Sequence, residues 1–209
     1  MSNKGLVTFT FDDGISNNTD ELLDILESEK ITATFFIIGE TLGKTLTTPN
    51  RAKLKAIHDK GHTVGNHTYS HANIVKLSQE DLRGEIAGAS AEIRATIDHK
   101  MKYFRPPYGS INASIRKFVT DKGFRIVLWD LDPRDVKRSK EDMLDYYTSS
   151  FHHADPKKTS YIILQHDRRK DSVQLVPDIA KIVRDKGFKI VSLDEYYAEP
   201  KPTTTDTKE

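Results

Sequence analysis

His67-Thr-Tyr-Ser-His71 sets two imidazoles four residues apart, a spacing at which one helical turn or tight loop can aim both at a single point. With one carboxylate they form the two-histidine, one-carboxylate set of catalytic zinc, which leaves coordination positions open for water. The same spacing occurs in pairs of exposed or capping histidines, so a carboxylate must be found. Asp12-Asp13, just ahead of Gly14, is the candidate. Adjacent like charges cost energy unless something positive neutralises them. A helix N-terminus could do so. A divalent ion does it with a chemical use: one carboxylate binds the ion, and its neighbour acts as general base on the water the ion activates.

Arg105-Pro-Pro-Tyr-Gly109 reads as a rigid strand exit whose guanidinium can fork onto a carboxylate and fix its orientation. His166 follows the apolar run 161–164, poised at a pocket rather than free in solvent. A carboxylate beside it would keep it protonated and ready to donate. Asp130, Asp132, Asp135 and Asp167 also lie at strand ends. His58 and His62 flank a helix end, His99 sits in a charged loop, and His152-His153 precede a Lys-rich turn; none of these is expected to bind a ligand.

Strands must carry these residues. Short apolar or β-branched runs mark them at 6–11, 33–38, 63–66, 103–105, 125–129, 161–164 and 189–193. Helical patterns lie between them at 19–28, 112–122 and 172–186, with capping boxes at Ser78 and Ser139 opening helices to about Ile97 and Phe151. Asp-Lys-Gly recurs at 59–61, 121–123 and 185–187, each time between a helical pattern and a strand. Glycine there suits a left-handed helix cap, and the lysine suits the helix dipole. Strands alternating with helices imply a parallel sheet with right-handed crossovers. Seven strands in this length predict a small β/α barrel, closed or incomplete. An open doubly wound sheet is the alternative, but no Gly-rich phosphate turn follows the first strand. The candidate residues all fall at carboxyl ends of strands, where barrel enzymes build their sites.

The 209 residues predict one catalytic domain over 5–197 and a disordered Pro/Thr-rich tail over 198–209. There is no cysteine, which excludes disulfides, thiolate metal sites and cysteine nucleophiles. Thirty-two basic residues against 31 acidic ones leave a net charge of +1, so no nucleic-acid partner is expected. The mean hydropathy of −0.58 predicts no membrane span, and the polar opening Met1-Ser2-Asn3-Lys4 predicts no secretory signal within the chain.

Thr10-Phe-Asp-Asp-Gly14, His67-Thr-Tyr-Ser-His71, Arg105-Pro-Pro-Tyr108 and Leu164-Gln-His166 stand in the order of the motifs of the polysaccharide deacetylases, carbohydrate esterase family 4, with the NodB-homology domain. The chain resembles this family from about Gly5 to Tyr197, which implies an α/β fold, a distorted (β/α)7 barrel that need not be complete. The resemblance implies a hydrolase that removes acetyl groups from polysaccharides with a divalent metal, Zn²⁺ or a substituting Co²⁺. By position it implies Asp13, His67 and His71 as metal ligands, Asp12 as base, His166 as acid, and Arg105 and Asp135 as the residues that hold base and acid. It further implies Tyr108 as an oxyanion donor through its backbone N–H, and Leu164 as a wall of the acetyl pocket. Where the family has Asp-x-x-Asp-Trp, this chain reads Asp132-Pro-Arg-Asp135-Val136, so Val136 replaces an aromatic of that pocket. Residues 103–109 and 162–167 look more like chitin deacetylases than acetylxylan esterases. Chitin or chito-oligosaccharide, an N-acetylglucosamine polymer, is therefore the expected substrate. Peptidoglycan, acetylxylan and a catalytically silent carbohydrate-binding role are the alternatives. That substrate class implies a secreted or wall-associated protein, and a monomer is expected.

Overall fold

The computed structural model describes residues 4–43 and 45–199. Among these residues, seven strands form one parallel sheet: β1 (Leu6–Gly14), β2 (Thr34–Ile37), β3 (Thr63–Asn66), β4 (Tyr103–Phe104), β5 (Arg125–Ile126), β6 (Tyr161–His166) and β7 (Lys189–Ile190). Their order is β5-β4-β3-β2-β1-β6, with β7 beside the start of β1. Strands β1 to β5 add one after another on one side, and β6 returns to the other side of β1, so the sheet curls as in a barrel. The far edges meet through one parallel bridge between Leu131 and Ile163, where Leu131 follows β5 and Ile163 lies in β6. The expected distorted and incomplete barrel is what forms.

Among the described residues, eight α-helices surround it: α1 (Thr19–Ser28), α2 (Pro49–Asp59), α3 (Gln79–Ile97), α4 (Ala113–Asp121), α5 (Lys140–His152), α6 (Lys170–Gln174), α7 (Val176–Asp185) and α8 (Leu193–Tyr197). Val7, Phe9 and Phe11 on β1 join Leu22 and Leu26 of α1 and Ile179 and Val183 of α7 in the main core. Each such side chain contributes about 1.5–3 kcal/mol by leaving water. The intervening Thr10 and Asp12 point the other way and share one partner inside the barrel, the guanidinium of Arg105.

The Asp-Lys-Gly turns behave as expected: α2, α4 and α7 each stop at a lysine, and Gly61, Gly123 and Gly187 follow at φ 81°, 86° and 84°. Other boundaries differ. The strand expected over 125–129 pairs only to Ile126, because the carbonyls of Val127 and Leu128 turn to accept from Arg105. The strand expected over 189–193 stops at Ile190, since Ser192 caps α8 in a complete capping box with Glu195. Ser78 and Ser139 cap their helices, but with an aspartate at the third helical position neither closes the reciprocal half of the box. The helix expected over 172–186 is two, broken at Leu175 ahead of Pro177, which offers no N–H. Of the expected tail, residues 200–209 lie outside the described residues.

Candidate active site

Asp12 and Asp13 follow one another on β1, and on a regular strand they would face opposite sides of the sheet. The register with β2 slips between Asp12 and Gly14, and Asp13 takes φ 65°. This bulge turns both carboxylates to one place. Asp13 Oδ1 then lies 3.4 Å from His67 Nε2 and 3.2 Å from His71 Nε2. The same oxygen is buried and has no hydrogen-bond partner. An orphaned buried carboxylate oxygen between two imidazole nitrogens is what a cation-binding set looks like without its cation. One donor atom from each of these three residues falls within 4.8 Å of the others, and this mixed nitrogen and oxygen set suits zinc.

The imidazoles are prepared for that use. His67 follows β3 and is 2% exposed; its Nδ1 lies 2.7 Å from the carbonyl oxygen of Arg105. A carbonyl only accepts, so the proton sits on Nδ1 and the lone pair of Nε2 faces Asp13. Burial pushes the pKa of His71 down, against the pull of Asp13, which keeps the ring neutral. Burial opposes charge on Asp13, but the closeness of His67, His166 and His71 outweighs it and holds its pKa at about 2. The intervening loop is pinned from α3: Glu85 accepts from the N–H groups of Tyr69 and Ser70 and from the Ser70 hydroxyl. Asn66 accepts from the N–H of Thr68 and donates to α3.

Two further carboxylates flank this set, each with its own partner. Asp12 Oδ1 accepts from Arg105 Nη1 at 2.7 Å, which leaves Oδ2 3.7 Å from His67 Nε2. Arg105 is wholly buried, is also bonded to Thr10, and lies 4.2 Å above the Phe36 ring. Opposite, His166 Nδ1 lies 2.7 Å from Asp135 Oδ1, and its Nε2 points inward, 3.8 Å from Asp13 Oδ2. Burial alone would lower the pKa of His166. The hydrogen bond and charge of Asp135, with Asp12 and Asp13, outweigh it and raise the pKa. Asp135 is in turn held by the His166 N–H and the Ser172 hydroxyl, and Gln165 holds Ser172.

β1 and β6 run side by side with Asp12 in register with His166, so the two flanking groups meet across neighbouring strand ends. Tyr108, 64% exposed, packs edge-on against His71 with the ring centroids 4.7 Å apart. Leu164 is buried in β6, and Val136 is 40% exposed on the loop of Asp135. Trp129 packs on Gly109 and lies 5.6 Å from the Arg105 guanidinium.

The other strand-end aspartates do structural work. Asp130 accepts from the N–H of Ile162, Asp132 from the N–H of Arg134, and buried Asp167 from the Thr19 hydroxyl. His62 is a staple, its Nδ1 accepting from the N–H of Ala33.

Sequence reasoning missed Thr10, Phe36, Glu85, Ser172 and Arg168, whose side chains complete these contacts. Only Thr10 lay within a motif. Also unforeseen was the backbone: among the described residues, seven non-glycine residues have positive φ, and Asp13, Thr68, His71, Tyr108 and Arg134 are five of them. Strain of this kind costs about 1–3 kcal/mol per residue and gathers where side chains must be aimed.

The family profile described as polysaccharide deacetylase matches residues 2–127. The chain belongs to the polysaccharide deacetylase family. This deacetylase is 32% identical over 206 residues to a peptidoglycan-N-acetylglucosamine deacetylase of Bacillus cereus, which covers 95% of this chain and 70% of that protein. A chitin deacetylase of Colletotrichum lindemuthianum is 30% identical over 195 residues, 91% of this chain and 79% of the other. The solved structure of the chitin deacetylase from that fungus matches this deacetylase with a TM-score of 0.88 at 28% identity, over 96% of this chain and 91% of that one. A solved Bacillus anthracis chain described as a pseudoenzyme of carbohydrate esterase family 4 matches with a TM-score of 0.82 at 25% identity, over 94% of this chain and 66% of that one.

Proposed function

We propose that this polysaccharide deacetylase removes N-acetyl groups from β-linked N-acetylglucosamine units, with chitin or chito-oligosaccharide as substrate, using a divalent ion held by Asp13, His67 and His71. The observation that carries the reading is the pairing of Asp12 with Arg105 and of His166 with Asp135 on either side of the orphaned Asp13 oxygen. Zn²⁺, or Co²⁺ in its place, would supply Lewis acidity there, acidifying water and polarising the acetamide carbonyl.

The chain's own residues do the rest. Asp12, its Oδ1 tied to Arg105, accepts the proton of the attacking water on Oδ2. The Tyr108 N–H offers a hydrogen bond to the oxygen that becomes negative. His166, kept protonated by Asp135, delivers its Nε2 proton to the leaving sugar amine. Acetate and a glucosamine unit depart. Leu164 and Val136 face the acetyl methyl, and valine in place of an aromatic leaves that wall open to slightly larger acyl groups. A silent carbohydrate-binding role fits less well, since every acid, base and ligand position is filled. The substrate implies a place outside the cell or in a wall, and one chain holds all the groups named, so a monomer suffices.

The deciding experiment is acetate release from chito-oligosaccharides, peptidoglycan and acetylxylan, with propionyl chito-oligosaccharides alongside, before and after chelator treatment and Zn²⁺ or Co²⁺ return. Chitin-type substrates are expected to lead, with activity lost on chelation and restored by metal. Preference for peptidoglycan would move the substrate to the Bacillus cereus type of relative. Full activity in protein shown metal-free by elemental analysis would remove the ion from the reaction.

A further inference from the structure

The two oxygens of Asp13 have different surroundings. Oδ1 faces the Nε2 atoms of His67 and His71 and accepts no hydrogen bond. Oδ2 faces the other way and lies 2.9 Å from Nη2 of Arg168, two residues past His166 in the loop between β6 and α6. The Arg168 side chain is 55% exposed, while the Asp13 carboxylate it meets is 4% exposed. Its neighbour Arg169 is tied down separately, its Nε donating to the Asp135 carbonyl. The loop that follows the acid histidine thus sends one guanidinium to each of two carboxylate-bearing segments.

We propose that Arg168 is a positioning residue for Asp13: it holds Oδ2 so that the carboxylate offers a single oxygen, Oδ1, to the divalent ion. This rests on the metal reading proposed above. A carboxylate with both oxygens free can swing or chelate through both, which takes up a position that a hydrolytic centre needs for water and substrate. A guanidinium on Oδ2 engages those lone pairs in a charge-assisted bond and fixes the plane of the carboxylate. Charge alone predicts the opposite of positioning. Removing a nearby cation should tighten binding of another cation, whereas losing an outer hydrogen bond to a ligand typically weakens metal binding or activity 10–100-fold.

The test uses the full chain as wild type, Arg168→Gln and Arg168→Lys, stripped with chelator and loaded with Co²⁺. Affinity is read by competition with a chromophoric chelator, coordination by the visible Co²⁺ absorption, and integrity of the metal-free fold by circular dichroism. Arg168→Gln is expected to bind Co²⁺ roughly 10–100-fold more weakly, with a Co²⁺ band displaced and weakened towards higher coordination. Arg168→Lys, still a cationic donor, is expected to fall between that variant and wild type. A wild-type Co²⁺ spectrum in Arg168→Gln, at any affinity, overturns the proposal, as does tighter binding. If wild type itself fails to bind Co²⁺ or Zn²⁺, the metal reading falls and this proposal with it. Binding that is intact in wild type and identical in both variants overturns the role of Arg168 alone.

Discussion

Asp12 gives one oxygen to a guanidinium that solvent does not reach, whereas Asp13 keeps one oxygen bare between two imidazoles. Amide substitution should separate their jobs. Asp12→Asn is expected to keep the bound metal and lower kcat by roughly 10²–10⁴-fold, the usual contribution of a placed base. Asp13→Asn is expected to lose the metal first. Elemental analysis with kinetics on both variants checks this, and the reverse pattern would mean that the two roles are exchanged. On the acid side, the raised pKa of His166 depends on Asp135 overcoming the cost of burial. The proton donor works only when protonated, so rate falls as pH rises through that pKa. Asp135→Asn removes the carboxylate charge, lowers the pKa, and moves the alkaline limb of kcat/KM to lower pH. An alkaline limb at the wild-type position would detach it from His166.

At the scale of elements, strand β3 passes so close to β2 that its glycine is a packing requirement. A Cβ on Gly65 would lie 2.6 Å from the Cδ1 and Cε1 atoms of Phe36, whose ring lies under the Arg105 guanidinium. Gly65→Ala should therefore cost about 1–3 kcal/mol of stability, as overpacking does, and should also displace the platform that steadies the Asp12–Arg105 pair. Gly84 is exposed in α3, and a Cβ added there would meet nothing within 4 Å. Gly84→Ala should stabilise by up to about 1 kcal/mol through helix propensity. Thermal unfolding and kcat of both variants test the contrast. Equal effects would mean that the β2–β3 contact yields more readily than its distances imply.

For the whole molecule, acid stability is expected to turn on His62, which joins the end of α2 to the head of β2. Burial, with the charge of Lys60, lowers its pKa from 6.5 to about 4. Between those two values the unfolded chain binds the proton and the folded chain does not. Its contribution is therefore full above pH 6.5 and is lost as pH falls towards 4. From pH 7 to pH 5 the loss is about 2 kcal/mol. Asp13, with a pKa near 2, adds no slope in that window. His62→Gln can still accept from the N–H of Ala33 but does not titrate. Urea unfolding at pH 7 and pH 5 should show a larger acid loss in wild type than in the variant; the same loss in both would place the titrating group elsewhere.

Alternation of apolar runs with helical patterns determined the number, order and parallel sense of the strands, because burial of each face is a local property of residue type and period. Asp-Lys-Gly determined three helix ends, because only a residue tolerant of positive φ fits there. The motifs determined the candidate residues, since their chemistry travels with their types. Tertiary structure decided how Asp12 and Asp13 come to share one face, because a bulge and a left-handed aspartate follow from the packing of neighbouring strands and not from the residues themselves. It decided where β5 ends, since the carbonyls of Val127 and Leu128 are claimed by an arginine some twenty residues earlier in the chain. It also brought Ser172, Phe36 and Arg168 to the site from positions without a motif. Such partners are set by distances across the curled sheet, and pairings through space leave no period or spacing in a single sequence.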